Sequence, residues 1–285
     1  MNPLPISRPL LNLPSAPVDA PKRMGTKCLT LWLAMILAGL GCKGDAIVHS
    51  TAHFPAGTGF VRREFQFDGK PRTLWVFLPK DYSREKKFPA VLFLHGLFEA
   101  GDGEACLTGG LGPVIAEHPE KWPFVTIFPQ STGTWRGAER DRFAIASLDF
   151  AQSEYSIDEN RVILAGLSYG ALGTWQIGAN HPDRFAALVP VSGHSAISIV
   201  QHVVLLPVWA FDMKGDPIVN SQSSEEMCRE IRKRGGVARL TEFAGIGHDC
   251  WEMVVQKSDL VDWMLKQSKA GRTSIATPQG FARTE

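Results

Sequence analysis

The sequence predicts an α/β fold with a mostly parallel central sheet and helices on both of its faces. Short apolar runs alternate along the chain with longer segments of helical composition, which is typical of parallel strands joined by helices. In the clearest example, the apolar residues 162–167 lead into a Gly-x-Ser-x-Gly turn at residues 166–170, and a predicted helix follows over residues 171–179. A strand, a glycine-flanked serine and a helix in this order form a more specific signal than the five-residue pattern alone.

The other elements follow in chain order around this unit. An opening hairpin is predicted at residues 60–67 and 72–78, further strands at 89–94, 125–128, 187–191, 205–211 and 237–243, and helices at 140–155, 225–234 and 251–269. Only residues 193–205 separate the sixth strand from the seventh, which leaves room for one short helix and none for a large cap domain. We therefore expect a single α/β domain over residues 59–269.

Ser168, at the centre of the glycine-flanked turn, is the candidate nucleophile. A sharp turn from strand to helix projects the hydroxyl from the end of the sheet, and Gly166 and Gly170 leave room for close packing there. A serine hydroxyl is a weak nucleophile at neutral pH, so it needs a base, and the base needs an orienting acid.

Candidates for these two partners follow in the chain order acid, then histidine. Asp216 lies between Gly215 and Pro217 after the apolar run 205–211, and we expect it to be the acid, with Asp212 as its competitor. His248 follows the final predicted strand in a glycine-rich loop, where a base can reach the carboxyl edge of the sheet. The sequence therefore predicts a Ser168, Asp216 and His248 triad.

An oxyanion hole is predicted next to this triad. The strand 89–94 ends in His95-Gly96-Leu97, where the backbone N–H of Leu97 can face a substrate oxyanion. The second donor is expected to be the N–H of Tyr169, directly after the nucleophile. The imidazole of His95 is expected only to brace the turn, and Trp135 is a candidate wall of the substrate pocket, with an ordinary buried or surface tryptophan as the alternative.

Several short motifs between residues 94 and 251 carry a family resemblance. They are Leu94-His95-Gly96, Phe128-Pro129-Gln130, 155–162, Gly166-Leu167-Ser168-Tyr169-Gly170, 181–187, Gly215-Asp216-Pro217 and Gly247-His248-Asp249-Cys250-Trp251. Together they resemble the α/β-hydrolase superfamily, and within it a group of esterases without a lid. That group includes predicted peptidases, phospholipase/carboxylesterase-like proteins, dienelactone hydrolase-like proteins, and polyhydroxybutyrate depolymerase-type or feruloyl esterases.

Composition limits the remaining functions. The 285 residues carry 30 Lys and Arg against 29 Asp and Glu, a net charge of +1, which gives no reason to expect a nucleic acid as partner. No Cys/His cluster has the spacing of a zinc site, so we expect no metal and no cofactor. Three cysteines of the predicted domain, Cys106, Cys228 and Cys250, allow one disulfide or three buried thiols.

The N-terminal residues 1–42 have the pattern of a disordered leader followed by an export signal. Basic residues at 22, 23 and 27 precede the apolar run 28–41, which is too short to span a membrane comfortably. The run ends at Cys42, and a small residue before a cysteine resembles a bacterial lipoprotein processing site. Lipidation of Cys42, ordinary cleavage and a retained anchor are the alternatives, and residues 43–58 and 270–285 are expected to be a linker and a mobile tail.

These features predict a serine hydrolase that cleaves short-chain or aryl carboxylic esters through an acyl-enzyme. Serine peptidase activity on short peptides is the first alternative, since the same groups could perform it. A catalytically silent binding lipoprotein on the same fold is the second. The expected partner is a small ester or short peptide, and the expected location is the periplasm or cell envelope as a lipoprotein, attached to the membrane through an N-terminal lipid, or secreted.

Overall fold

The computed structural model describes residues 57–270. The predicted leader, the candidate lipidation site at Cys42, most of the linker and the tail from residue 271 lie outside these residues. Among residues 57–270, no helix is long and apolar enough to cross a membrane.

Eight strands form one mixed sheet. Their bounds are Gly59–Phe67 (β1), Lys70–Leu78 (β2), Phe88–Leu94 (β3), Val125–Pro129 (β4), Ile157–Leu167 (β5), Ala187–Val191 (β6), Val208–Gly215 (β7) and Ala238–Ile246 (β8). The strand order is β1-β2-β4-β3-β5-β6-β7-β8. β1 and β2 pair antiparallel, as do β2 and β4, and every pairing from β4 to β8 is parallel.

The central strands are apolar throughout because the core covers both faces of the sheet. In β3, Ala90, Leu92 and Leu94 pack into the hydrophobic cluster on one face, whereas Val91 and Phe93 belong to the cluster on the other. This alternation follows from the two-residue period of a strand. It explains why the continuous apolar runs of the sequence are strands.

Seven α-helices are present in the described part of the chain. They are Leu111–Glu117 (α1), Ala138–Glu154 (α2), Tyr169–Asn180 (α3), Val200–Val203 (α4), Ser221–Lys233 (α5), Trp251–Lys257 (α6) and Leu260–Leu265 (α7). The prediction of one helix over residues 251–269 is wrong, because extended backbone at Ser258 separates α6 from α7. The Ser258 hydroxyl donates to the Val254 carbonyl at 2.6 Å and accepts the Leu260 N–H at 3.2 Å, so it ends one helix and leads into the next.

The connection between β6 and β7 is short, as the sequence predicts. It contains a single 3₁₀ turn, Ile197–Ile199, followed by the one-turn helix α4. Among residues 57–270, no cap domain is inserted at this point. Within the described residues, this connection therefore places no cap over the carboxyl edge of the parallel strands, where ligands bind in sheets of this kind.

Candidate active site

Ser168 lies at the sharp turn between β5 and α3. Its backbone has φ 56° and ψ −116°, which is strained for a residue with a side chain. A side chain at Gly166 would collide with the backbone of Gly170, and one at Gly170 would collide with the carbonyl of Leu94. The two glycines therefore permit the close packing that forces the serine into this conformation.

His248 and Asp216 form a hydrogen-bonded pair at the same edge of the sheet. His248 Nδ1 lies 2.8 Å from Asp216 Oδ2, and the Asp216 side chain is almost fully buried. The other carboxylate oxygen of Asp216 accepts the N–H groups of Ile218 at 2.7 Å and Val219 at 3.0 Å, which fixes its orientation. His248 Nε2 is buried, and no partner for it is found among the described residues. An oriented imidazole with a free Nε2 is what a general base requires.

Ser192, which sequence reasoning missed, holds the histidine loop. Its hydroxyl donates to the His248 carbonyl at 2.5 Å, and its N–H donates to the Phe211 carbonyl at 2.8 Å. Ser192 is fully buried and has φ 53°, so the first residue after β6 is strained as Ser168 is. It belongs to no motif, and nothing in the sequence marks it.

Asp212, the alternative acid, does not contact His248 through any hydrogen bond in the described structure. β7 continues to Gly215, so Asp212 lies within the strand, where it is 1% exposed and opposite Glu242 of β8. Burial raises the pKa of Asp212 to about 7, the nearby Ser224 hydroxyl lowers it, and Asp216 and Glu242 raise it further. Neither carboxyl oxygen makes a hydrogen bond of good geometry to the described residues, Ser224 included.

We expect Asp212→Asn to stabilise the protein, and more so at high pH. The native carboxyl holds its proton up to about pH 7, whereas the unfolded one loses it near pH 4, so native stability falls as the pH rises between these values. An asparagine avoids this loss. Each pKa unit corresponds to about 1.4 kcal/mol, and each kcal/mol to roughly 2–4 °C in a domain of this size.

Thermal unfolding at pH 4.5 and pH 8 tests this expectation. The gain in Tm of the variant over the wild type should be several degrees larger at pH 8. Asp102→Asn, which changes an exposed carboxylate, is the control and should show no such difference. A gain that is equal at the two pH values would contradict the expectation.

The predicted oxyanion donors lie on two segments that pack together. Leu97 follows β3 and is partly exposed, and Tyr169 is the first residue of α3, where a backbone N–H has no partner within the helix. A Cβ on Gly170 would also lie 2.8 Å from the His95 carbonyl oxygen, so the start of α3 rests directly on the loop that carries Leu97. This packing brings the two predicted donors to the same corner of the site.

His95 and Trp135 hold the loop after β3 in place through hydrogen bonds. Ser131 donates its N–H to His95 Nε2 at 3.1 Å, and His95 Nδ1 lies 2.7 Å from the Gly96 carbonyl oxygen. Burial lowers the pKa of His95 to about 4, so the imidazole is neutral and braces the turn. Trp135 donates its indole N–H to the His95 carbonyl at 2.9 Å and is 1% exposed. A direct contact of Trp135 with substrate stays a prediction.

Glu99 is a second residue that sequence reasoning missed. Its Oε2 is buried without a hydrogen-bond partner among the described residues. A Cβ built on Gly96 would lie 2.7 Å from this oxygen and 3.6 Å from Ser168 Cβ, so the carboxyl sits under the oxyanion loop close to the nucleophile. Burial raises the pKa of Glu99, as does the charge of Asp249. A raised pKa favours the protonated, uncharged form of this carboxyl.

A groove of about 760 Å³ lies beside the nucleophile turn. Its walls come from the segment before and at the start of α2, from one face of α3, and from the loops after β6 and β7. The lining residues are Trp135, Arg136, Gly137, Ala138, Asp141, Leu172, Gln176, Ile177, Asn180, His194, Ser195, Ala196 and Val219. None of Ser168, Asp216 and His248 lines this groove, and its first lining residue on α3, Leu172, lies one helical turn after the nucleophile.

The described residues contain no cluster of three or more His, Cys, Asp or Glu side chains that could hold a metal ion. Cys106, Cys228 and Cys250 are all free and buried. Burial raises the pKa of Cys228 and of Cys250 to about 12, so these thiols stay protonated.

The chain is similar in sequence to known hydrolases. Residues 137–202, which include Ser168, match the prolyl oligopeptidase family. A probable acetylxylan esterase A of Aspergillus terreus is 27% identical over 179 residues, which cover 56% of this chain and 56% of that protein. Dipeptidyl-peptidase 5 of Porphyromonas gingivalis is 25% identical over 139 residues, which cover 44% of this chain and 20% of that protein.

A solved structure of a thermostable esterase extends this similarity to the fold. It matches with a TM-score of 0.66 at 28% identity, over 74% of this chain and 63% of that chain. The chain thus spans 56% of the length of the acetylxylan esterase and 63% of the esterase structure. The predicted α/β fold, with a mostly parallel sheet between helices, is confirmed, and the names of these proteins support the prediction of a hydrolase.

Proposed function

We propose that this chain is a serine esterase of the α/β-hydrolase superfamily that cleaves short-chain or aryl carboxylic esters. The observation that carries the proposal is the 2.8 Å hydrogen bond between Asp216 and His248, with His248 Nε2 left free at the sheet edge where the strained turn holds Ser168. No cofactor or metal is needed for this chemistry.

The proposed reaction has two halves. Ser168 attacks the acyl carbon while His248 Nε2 takes the hydroxyl proton, and Asp216 stabilises the resulting imidazolium. The N–H groups of Leu97 and Tyr169 hold the oxyanion of the tetrahedral intermediate. His248 then gives its proton to the leaving alcohol. In the second half, His248 takes a proton from a water molecule that attacks the acyl-enzyme, and it returns this proton to Ser168 as the acid leaves.

Peptidase activity is the second candidate function. It is favoured by the match of residues 137–202 to the prolyl oligopeptidase family. The same serine, histidine and oxyanion donors could attack an amide. Turnover of an alanyl-alanine nitroanilide beside a nitrophenyl ester separates the two functions, and the proposal requires the ester to be the better substrate by kcat/KM.

A preference for short acyl chains is expected from the open site. The short β6–β7 connection forms no lid in the described part of the chain, so a long acyl chain stays in water. It then gains little of the ~0.8 kcal/mol that burial of each CH₂ provides. We expect kcat/KM to be higher for a C4 than for a C12 nitrophenyl ester, without activation at a lipid interface. A rise from C4 to C12 would contradict this.

We also propose that the protein is exported, and that Cys42 is lipidated. The basic residues and short apolar run before Cys42 support this, and one relative is an uncharacterized secreted protein of Arthroderma benhamiae. Expression in bacteria with labelled palmitate should label the wild type, and Cys42→Ser should lose the label. Cys106→Ser, which removes a buried thiol, is the control and should keep it. An unlabelled product cleaved near Gly41 would mean ordinary signal processing.

A further inference from the structure

The loop after β3 carries a predicted oxyanion donor, yet the side chains beside this donor do not hold it in place. Leu97 is 44% exposed and Phe98 is 82% exposed, so neither side chain anchors the backbone between them. A donor stabilises an oxyanion well only when its position is fixed before the charge develops. The Leu97 N–H must therefore be held by neighbouring residues. His95 holds the loop on one side of this donor, and Glu99 follows on the other.

The side chain of Glu99 folds back beneath this loop and fills the space that two glycines leave. A Cβ on Gly96 would lie 2.7 Å from Glu99 Oε2, and a Cβ on Gly109 would lie 2.8 Å from Glu99 Cδ. Both distances are shorter than real Cβ atoms show, so the carboxyl is packed tightly between the two glycines. The Cβ on Gly96 would also lie 3.6 Å from Ser168 Cβ. The carboxyl thus supports backbone that lies directly beside the nucleophile.

The backbone of Glu99 is fixed as well. Gln130, the last residue of the Phe128-Pro129-Gln130 motif, donates its Nε2 to the Glu99 carbonyl at 3.0 Å. Its Oε1 accepts the Cys106 N–H at 2.6 Å, and Gln130 itself is buried. With its backbone bound to Gln130 and its carboxyl between two glycines, Glu99 holds one conformation of the loop.

The segment that carries Gly109 continues to the loop of the candidate base. Gly110 donates its N–H to Asp249 Oδ2 at 2.7 Å, and Asp249 directly follows His248 in the chain. Because its carboxyl packs against Gly109, Glu99 lies on a continuous path of contacts between the predicted oxyanion donor and the base. A change at Glu99 can therefore act on the reaction without touching the substrate.

The charge of this carboxyl is set by its surroundings. Burial raises the pKa of Glu99, nearby backbone N–H groups of its own loop lower it, Asp249 raises it and His248 lowers it. The 3₁₀ turn before α1 adds only the thiol of Cys106, and the nucleophile turn adds only the phenol of Tyr169. Among the described residues, Asp249 and His248 are therefore the charged side chains that face the carboxyl.

A negative charge at this position would act on both charges of the transition state. It would oppose the oxyanion and favour the imidazolium of His248. The carboxyl packs directly against the loop of the oxyanion donor, whereas no hydrogen bond joins it to His248 among the described residues. We therefore expect the unfavourable effect on the oxyanion to be the larger.

We propose that Glu99 is a positioning residue of the oxyanion hole, whose uncharged carboxyl fixes the Leu97 N–H and whose ionisation slows the reaction. This inference rests on the proposed esterase function, because an oxyanion forms only when Ser168 attacks an acyl group. It gives the site a dependence on pH that is separate from that of the triad.

Two variants of Glu99 test the inference with 4-nitrophenyl butyrate. Glu99→Ala empties the space between the glycines, whereas Glu99→Gln keeps the shape and cannot ionise. We expect Glu99→Ala to lower kcat about tenfold or more with KM within about twofold, because an oxyanion donor acts mainly in the transition state. Glu99→Gln should match the wild type at pH 5. Its kcat relative to the wild type should rise about threefold or more by pH 8.5, because only the wild type acquires the charge.

Matched controls come from an exposed glutamate between β2 and β3. Glu85→Ala and Glu85→Gln should match the wild type in kcat and KM at every pH. Wild-type kcat in Glu99→Ala would overturn the inference. A ratio of Glu99→Gln to wild type that stays constant with pH would also overturn it, as would a loss in Glu99→Ala that glutamine does not restore.

The rate at which a fluorophosphonate labels Ser168 separates failure of this inference from failure of the proposed function. The phosphonyl oxygen of the probe takes the place of the oxyanion, so labelling should slow in Glu99→Ala and recover in Glu99→Gln whatever the natural substrate is. A wild type that is labelled but cleaves no ester would overturn the esterase function, and the labelling rates of the variants would still decide the role of Glu99. A wild type that is neither labelled nor active would overturn both.

Discussion

Replacing Ser168 by alanine is expected to abolish ester hydrolysis, with a loss in kcat on the order of 10⁴-fold or more. His248→Ala should lower kcat by nearly as much, because a nucleophile and its base act as a unit and the effects of removing them do not add. Residual turnover would come from the oxyanion donors and from binding alone. His248→Ala also removes the 2.8 Å hydrogen bond to the buried Asp216, so thermal unfolding of both variants is measured beside their activity.

Kinetics with 4-nitrophenyl butyrate and labelling with a fluorophosphonate probe measure this expectation. The wild type should be labelled, and Ser168→Ala should not. Ser153→Ala, an exposed serine of α2, and His202→Ala, an exposed histidine of α4, are matched controls that should retain full activity. An unlabelled wild type, or a labelled Ser168→Ala, would favour the catalytically silent binding protein or another nucleophile.

The nucleophile turn could be predicted because its determinants are local. The strand β5, two glycines and the helix α3, all within residues 157–180, define the conformation of Ser168. His248 could be placed because its loop follows the last strand, and the carboxyl ends of parallel strands meet at one edge. The apolar runs likewise predicted the strands, since a sheet covered on both faces shows no polar alternation.

Features that depend on distant parts of the chain could not be predicted. The contact of Ser192 with the His248 carbonyl joins residues 56 positions apart, and neither residue type indicates it. Glu99 lies near Ser168 only because the loop after β3 brings its carboxyl back to Gly96, which is beside the Ser168 side chain. The groove depends on how the start of α2 lies against α3, where Asn180 donates to Asp141. Each of these requires the tertiary structure, not a motif.

The choice between the two aspartates turns on where β7 ends. The apolar run stops at Phe211, which suggested that the loop begins at Asp212, but β7 pairs with β8 as far as Gly215. The continued pairing holds Asp212 in the strand among buried groups and leaves Asp216 as the first residue of the loop. The backbone N–H groups of Ile218 and Val219 then turn the Asp216 carboxylate toward His248.

The pair Asp216→Asn and Asp212→Asn should therefore differ sharply in activity. Asp216→Asn removes the charge that orients His248 and stabilises its protonated form, and losses of about 10⁴-fold in kcat are known for this change in other triads. Asp212→Asn replaces a carboxyl that burial already keeps protonated up to about pH 7, so kcat at pH 7 should stay within about threefold of the wild type. The two substitutions are chemically identical and four residues apart, so each is the control for the other.

Steady-state kinetics at pH 7, with thermal unfolding of both variants, decide the assignment. Asp216→Asn should unfold near the wild-type temperature although its activity is lost. This result would show that the loss of activity comes from a catalytic defect and not from unfolding. If Asp212→Asn is the more damaging change, the acid is Asp212, and the hydrogen bond from Asp216 to His248 is only structural. Equal and small effects would mean that His248 needs no carboxylate partner, which the buried, doubly anchored carboxylate of Asp216 argues against.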